Sequence, residues 1–232
     1  MVVARHRVKL FGLALDCHTN KTLNYLLVFM LLNEPLGRWL AHVFHRRMDV
    51  ILCKDLTMPP GQPSSGRLEV VSIRSGHRDA LMQHIRQHHA DTTTSIQMLD
   101  DCLRQGYEGS LALLNGQIIG YRWWATHKMN HPQLAMYRLA LREDEVFAFG
   151  LYIARPFRAK GYAGEFLADT QKQLVDMGYR RLYNAIDFEN TPARRLNETW
   201  GATEFARHTV ITLFSSLSFC AGRLRRYDKL WM

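Results

Sequence analysis

Apolar and polar positions along the chain follow two different periods, and each period marks one kind of element. Short apolar runs bounded by polar or turn residues are typical of strands, and they occur at residues 68–73, 109–114, 117–126, 146–153, 181–186 and 203–214. Apolar residues recur every three to four positions, which predicts helices, at residues 77–89, 95–105, 161–177 and 192–200. Strands interspersed with helices indicate an α/β fold.

Two local patterns predict how these strands pair. Asn115 and Gly116 lie between two apolar runs, and this dipeptide favours the tight turn of an antiparallel hairpin. Later in the chain, a helical segment separates the strands at residues 146–153 and 181–186, which suits a parallel crossover. We therefore expect a mixed, mostly antiparallel central sheet flanked by helices.

The sharpest change of composition is at residues 57–66, where Pro, Gly and Ser crowd together. It predicts three parts: an N-terminal extension with its linker (residues 1–66), a core domain (residues 67–214) and a C-terminal tail (residues 215–232). The tail mixes basic with apolar residues, as amphipathic segments at an interface do. A short strand is expected ahead of the linker, at residues 49–53.

The N-terminal extension carries an apolar run of ten residues at 23–32. A membrane-spanning helix needs about 20 apolar residues, so this run is too short to span. We interpret residues 21–47 as a helical hairpin or bent helix that is broken near Pro35. It either packs on the core domain or lies at a membrane interface, where its arginines would face anionic lipid.

Composition narrows the class of protein. Hydrophobic residues make up 47% of the 232 residues and charged residues 22%, which is typical of a globular protein and excludes a wholly disordered chain. The formal net charge is +9, with both ends basic and the core domain nearly balanced. No DNA- or RNA-binding motif accompanies this charge, so we expect no nucleic-acid partner. The four scattered cysteines form no C-x-x-C pair, which favours a reducing, cytoplasmic location.

One segment combines a strand end, basic residues and small residues ahead of a helix. The strand ends at Ile153, and Arg155, Arg158 and Lys160 precede Gly161. A helix N-terminus presents unpaired N–H groups and a partial positive charge, and small residues let a bulky anion approach the backbone. The segment predicts a diphosphate-binding loop, although a tight turn with solvated basic residues would have the same pattern. It matches neither the dinucleotide-binding fingerprint nor the P-loop.

The same segment resembles the signature of the GCN5-related N-acetyltransferase (GNAT) family. The family's Arg/Gln-x-x-Gly-x-Gly/Ala pattern is met by Arg158, Gly161 and Ala163. A second block, with Asn190 followed by Ala193 and a helix that ends before Gly201, is similar to the family's later strand and helix. The order of elements from Leu68 to Phe214 also fits, so that the resemblance covers about two-thirds of the chain and implies a GNAT-like fold.

The resemblance also implies acetyl-CoA, or another acyl-CoA, as co-substrate, and no metal. Its pantetheine arm would enter a V-shaped opening between the strands at residues 146–153 and 181–186, and its pyrophosphate would lie on the loop. The residues implied in cofactor binding are Leu151, Tyr152, Ile153, Arg158, Ala159, Lys160, Gly161, Tyr162, Ala163, Gly164 and Asn190. Asn190 also fits an N-cap of the following helix, and both roles can hold at once.

Acyl transfer to an amine needs a base for the amine, hydrogen bonds to the developing oxyanion and a proton for the departing thiolate. The family's proton donor is often a tyrosine on the last helix, but the matching residue is Asn197, which cannot give up a proton at neutral pH. Tyr183 or Tyr152 is the alternative donor, unless the thiolate leaves without one. Glu145 is the candidate base, although it also ends a charge run typical of a solvated turn.

Histidines near the start of the core domain invite a metal site. His84 and His88 have i, i+4 spacing, and His89 and Asp91 follow closely. No third ligand has a clear zinc-like spacing, so we expect no metal. The histidines would instead line an acceptor cleft or lie on an ordinary surface.

We therefore expect a cytoplasmic GNAT-type N-acetyltransferase, with peripheral contact to the inner face of the membrane if its basic, apolar ends lie at that interface. The acceptor would be a primary amine on a small molecule, a sugar-linked carrier or a lipid-linked carrier. Because Asn197 stands where a tyrosine is usual, the alternative is a non-catalytic module that binds acyl-CoA or a partner.

Overall fold

The computed structural model describes residues 8–10, 13–15, 44–61, 64–213 and 217–224. The chain divides into two compact units, residues 1–46 with 211–219, and residues 47–210 with 220–232. In the described part of the smaller unit, two short strands form an antiparallel hairpin, β1 (Val8–Leu10) and β2 (Leu13–Leu15).

The described eight-stranded sheet is mixed, and most of its residues belong to the larger unit. Its strands are β3 (Phe44–Asp55), β4 (Glu69–Ser72), β5 (Glu108–Leu114), β6 (Gln117–Thr126), β7 (Glu145–Ile153), β8 (Arg181–Asp187), β9 (Thr203–Leu213) and β10 (Leu217–Leu224). Their order in the sheet is β10-β9-β3-β8-β7-β6-β5-β4. β7 and β8 are parallel, while β3 with β8, β4 with β5, β5 with β6 and β6 with β7 are antiparallel. The mixed, mostly antiparallel sheet expected from the sequence is confirmed.

Within the described residues, five α-helices cover the two faces of this sheet. They are α1 (Arg78–His88), α2 (Thr92–Arg104), α3 (Pro132–Tyr137), α4 (Tyr162–Asp176) and α5 (Thr191–Trp200). Successive strand residues point to opposite faces. Trp123 and Phe147 accordingly pack with α1, α2 and α3, whereas Trp124 and Val146 pack with α4 and α5. Among the described helices, none has both the length and the apolar character needed to cross a membrane.

The helix ends differ from the expected ones for identifiable reasons. α2 begins three residues earlier than expected because Asp91 is its N-cap and accepts a hydrogen bond from the Thr94 N–H at 3.0 Å. α3 was not predicted from the sequence, because its six residues are too few to establish a helical period. It begins at Pro132 after His131, the side chain of which caps it.

β3 lies ahead of the Pro- and Gly-rich segment and is nevertheless an inner strand of the sheet. It pairs with β8 from Asp49↔Asp187 to Asp55↔Arg181. Its residues 50–52 are buried, as expected for a strand that is covered on both faces. Residues 44–47 therefore belong to a strand, not to the end of the expected helix, and residues 21–43 lie outside the described residues. In the expected C-terminal tail, β10 occupies residues 217–224, and residues 225–232 are likewise outside.

One buried carboxylate fastens the segment before β4 to the first turn of α4. Glu165 accepts hydrogen bonds from the backbone N–H groups of Arg67 at 2.6 Å and Leu68 at 3.0 Å, and from the Ser65 hydroxyl at 2.6 Å. The Arg67 guanidinium lies 3.0 Å from the same carboxylate. Burial by itself would raise the pKa of Glu165, but these hydrogen bonds outweigh it and the pKa is lowered.

We expect Glu165→Ala to lower the free energy of unfolding at pH 7 by about 2–4 kcal/mol, because buried donors lose their acceptor. The pKa of Glu165 is lower in the folded protein than in the unfolded chain. Its stabilisation is therefore fully present above the unfolded-state pKa and is lost as the pH falls through the folded-state pKa. The free energy of unfolding, measured by urea denaturation at several pH values, should therefore differ less between the wild type and the variant as the pH is lowered.

Glu198→Ala is the matched control, since it removes an exposed carboxylate from α5. Similar losses in both variants, or a difference between Glu165→Ala and the wild type that is independent of pH, would contradict the anchoring role.

Candidate functional site

The parallel pairing of β7 with β8 stops part of the way along both strands. It runs from Glu145↔Arg181 to Ala148↔Asn184, although β7 continues to Ile153. Beyond the last pair, the two strands separate. The V-shaped opening expected between them begins at this point, which we call the apex (Ala148 and Asn184).

A β-bulge in β7 accounts for the separation. The register between β6 and β7 shifts between Tyr121 and Trp123, so that Gly150 and Leu151 of β7 face the single residue Arg122 of β6. Gly150 has φ +62°, a left-handed conformation that favours glycine. A bulge bends its strand and increases the local twist, which turns β7 away from β8 just past the apex.

The loop between β7 and α4 has the backbone of an anion-binding turn. Ala159 and Gly161 have φ values of +59° and +83°, and such left-handed residues let successive N–H groups converge. Gly161 is the N-cap of α4, and by helix geometry the first N–H groups, from Tyr162 onward, have no acceptor in the helix. Lys160 is exposed beside them. These donors and this charge fit a pyrophosphate.

Within this loop the Arg158 side chain contacts the end of β7, whereas Lys160 is exposed. Its Nε donates a hydrogen bond to the Ile153 carbonyl at 2.7 Å. Its guanidinium carbon lies 5.3 Å from the centroid of the Tyr152 ring, within the range of a cation–π contact. Arg158 therefore ties the loop to the end of β7, and its position in the family signature has a structural reason.

The two asparagines singled out from the sequence lie on α5. Asn190 is its N-cap and accepts a hydrogen bond from the Ala193 N–H at 3.2 Å. Asn197 is 2% exposed; its Oδ1 accepts from Asn184 Nδ2 at 2.9 Å, and its Nδ2 donates to the Ala193 carbonyl at 2.9 Å. Because Asn184 belongs to the apex, Asn197 lies where the strands separate.

Glu145 and Tyr183 are hydrogen-bonded to each other: Glu145 starts the parallel pairing, and Tyr183 pairs with Phe147, one pair before the apex. Glu145 is 4% exposed and accepts hydrogen bonds from the Tyr183 hydroxyl at 3.2 Å, the Arg181 guanidinium at 3.3 Å and the Arg142 N–H at 3.0 Å. Burial raises the pKa of Tyr183, as do its carboxylate and thiol neighbours. Glu145 thus belongs to a buried polar pair three residues before Ala148, rather than to a solvated turn.

Histidine and tyrosine rings cluster on the face covered by α1 and α2. The cluster consists of His84, His88, His89, Tyr121 and Tyr152. The His89 ring stacks on Tyr152 with 3.7 Å between centroids, and its Nε2 lies 3.3 Å from the Tyr121 hydroxyl. The Tyr152 hydroxyl donates to the His88 carbonyl at 2.5 Å. In the described part of the chain, no group of three or more His, Cys, Asp or Glu side chains could hold a metal ion.

Two of the buried histidines are neutral at pH 7. Burial, helped by the neighbouring His88 and His89, lowers the pKa of His84 to about 4. Burial also lowers the pKa of His131 to about 4. Since an unfolded histidine binds its proton near pH 6.5, the unfolded chain takes up more protons between the two values, and the folded state loses stability there as the pH falls.

Three residues of this region were missed from the sequence. The sequence does indicate a bulge at Gly150, because a lone glycine inside an apolar run often marks one. Arg122 also has a signal in the sequence, since it is a single charge within the apolar run 117–126. Asn184 has no comparable signal, as its role depends on where β7 leaves β8.

The family model described as the acetyltransferase (GNAT) family matches residues 75–202. The chain is 34% identical over 116 residues to the uncharacterized N-acetyltransferase YycN of Bacillus subtilis (strain 168), a match that covers 47% of this chain and 67% of YycN.

Solved structures agree with this match at the level of the fold. A conserved protein of unknown function from Staphylococcus epidermidis ATCC 12228 has a TM-score of 0.56 at 12% identity, covering 78% of this chain and 68% of that one. A GCN5-related N-acetyltransferase from Sphaerobacter thermophilus has a TM-score of 0.50 at 15% identity, covering 76% of this chain and 55% of that one.

We expect the free energy of unfolding to fall between pH 6.5 and about 4, by about 1.4 kcal/mol per pH unit for each buried neutral histidine. His84→Leu should remove one such contribution to the slope, whereas His127→Leu, at an exposed position, should leave the slope unchanged. Chemical denaturation at several pH values measures both slopes. Equal slopes in the wild type and His84→Leu would show that His84 is not buried in its neutral form.

Proposed function

Since the chain belongs to the GNAT acetyltransferase family, we propose that it transfers an acyl group from acyl-CoA to a primary amine. The acceptor amine would be carried by a small molecule, a sugar-linked carrier or a lipid-linked carrier. The observation that carries the proposal is the position of the anion-binding loop directly after the strand that the Gly150 bulge turns away from its neighbour.

The backbone supplies most of the proposed cofactor contacts. Leu151, Tyr152 and Ile153 lie on the part of β7 beyond the apex, so their backbone groups on the β8 side would hydrogen-bond the pantetheine amides as a neighbouring strand would. The N–H groups of residues 159–164 would hold the pyrophosphate, with Lys160 adding charge. Asn190 would approach the pantetheine while capping α5.

Bound acyl-CoA would supply the thioester, at which a C–N bond to the amine forms and the C–S bond breaks, while the amine loses a proton and the thiolate gains one. Asn197 lies at the apex and cannot provide that proton. We infer that solvent protonates the thiolate, because a thiolate is a good leaving group.

Glu145 lies about 10 Å along β7 from Ala148, since a strand rises about 3.3 Å per residue. Direct proton transfer needs hydrogen-bond distance or one intervening water, and this separation exceeds both. We therefore propose that Glu145 and Tyr183 support the floor of the site as a hydrogen-bonded pair. The amine would be deprotonated by water or by the acceptor's own groups.

Reversing the charge of Lys160 tests whether this loop binds the pyrophosphate of coenzyme A. We expect Lys160→Glu to weaken coenzyme A binding by at least about tenfold, or 1.4 kcal/mol, because the new carboxylate would repel the pyrophosphate. Lys172→Glu makes the same change of charge at an exposed position later in α4 and should change the affinity less than about twofold. Isothermal titration with coenzyme A measures both affinities.

Equal weakening in the two variants would mean that overall charge, not the loop, governs the affinity, and a wild type that does not bind coenzyme A would refute the proposal. Thiol release from acyl-CoA with a panel of primary amines separates the enzyme from a non-catalytic acyl-CoA-binding module. Binding without turnover on any amine would favour the module.

A further inference from the structure

Arg122 is a buried cation that has no counter-ion among the described residues. Its side chain is 1% exposed, and within the described residues neither Nε nor Nη1 has a hydrogen-bond partner and no carboxylate forms an ion pair with it. Burial lowers the pKa of Arg122 to about 9, so the guanidinium still carries its charge at pH 7. Buried charges in proteins are normally paired, because an unpaired one is strongly destabilising.

Arg122 lies opposite the point at which β7 turns away from β8. Arg122 is the residue of β6 that faces the β7 bulge. Its guanidinium carbon lies 5.4 Å from the ring centroid of Trp200, the last residue of α5. Trp200 packs in one cluster with Ala148 of the apex and with Leu167 of α4. The charge therefore lies on the face covered by α4 and α5, next to the apex.

Among the described residues, buried polar atoms on three further elements also lack partners. Asn184 Oδ1, Thr170 Oγ1 and Trp200 Nε1 are buried and, within the described part of the chain, accept or donate no hydrogen bond. They belong to β8, α4 and α5, the elements that border the apex. Native proteins leave few buried polar atoms unsatisfied. Of these three, the Trp200 Nε1–H and the Thr170 hydroxyl can donate to an anionic ligand, whereas Asn184 Oδ1 can only accept.

We propose that Arg122 binds a carboxylate at the far end of the acyl group, so that the preferred donor is a short dicarboxylic acyl-CoA, such as malonyl-CoA or succinyl-CoA. The inference rests on the proposed function and specifies its acyl group. An acetyl group is neutral and would leave the guanidinium unpaired, whereas a carboxylate can accept two parallel hydrogen bonds from it.

The position of Arg122 and its cost in stability favour a carboxylate on the acyl group over other anions. The pyrophosphate already has its own donors in the loop before α4, whereas Arg122 lies by the apex, next to the end of α5. In addition, replacing an unpaired buried charge with an apolar side chain of similar size normally stabilises a protein, so Arg122 is kept at a cost in stability. Unpaired buried charges of this kind occur at binding sites, where the bound ligand supplies the counter-ion that the protein itself lacks.

The first experiment compares acetyl-CoA, malonyl-CoA and succinyl-CoA on the wild-type protein by isothermal titration, without an acceptor. We expect at least one dicarboxylic acyl-CoA to bind about tenfold or more tightly than acetyl-CoA, a difference of 1.4 kcal/mol. Equal or weaker binding of both dicarboxylic donors would overturn the inference, and this result does not depend on any variant folding.

The second experiment assigns the preference to one side chain. Arg122→Met should abolish the preference while acetyl-CoA still binds, and without ligand its melting temperature should rise by a few degrees because an unpaired charge is removed. Arg122→Lys keeps the charge and should retain part of the preference. A preference that survives Arg122→Met would overturn the inference.

The outcomes separate this inference from the proposed function. If coenzyme A and acetyl-CoA bind but the dicarboxylic donors have no advantage, only the role of Arg122 fails. If no coenzyme A derivative binds, the proposed function fails and the inference fails with it.

Discussion

The β-bulge at Gly150 determines what the larger unit of this protein can bind. A parallel pair of strands normally uses all its backbone groups in the sheet. Here the extra residue in β7 ends the pairing with β8 after Ala148↔Asn184, although the strand continues to Ile153. Backbone groups beyond that point are available to an extended ligand, and the loop that follows offers further N–H groups at the start of α4.

The surrounding contacts hold this opening in place from several sides. Arg158 joins the loop to the end of β7, and Glu165 joins the first turn of α4 to the segment before β4. Asn197 and Asn184 link α5 to the apex. Beside the bulge, Arg122 is a buried charge for which the described residues supply no carboxylate partner. The buried charge of Arg122 thus lowers the stability of the protein, while the same charge is proposed to bind the carboxylate of the acyl group.

Local signals in the sequence were enough to predict the hairpin and the loop. Asn115 and Gly116 have φ values of +51° and +78°, the left-handed pair that their dipeptide favours. The place of β3 between β8 and β9 could not be predicted, because the pairing joins segments that are far apart in the chain. The burial of Glu145 could not be predicted for a related reason: a charge run indicates solvent unless distant residues, here Tyr183 and Arg181, cover it.

Amide hydrogen exchange with and without coenzyme A tests the opened strand and its loop together. Binding should slow exchange at residues 150–153 and 159–164, while residues 145–148, already paired with β8, should exchange slowly in both states. Unchanged exchange in the first two segments while coenzyme A is bound, or protection confined to another part of the sheet such as β4, would contradict the assignment of the site.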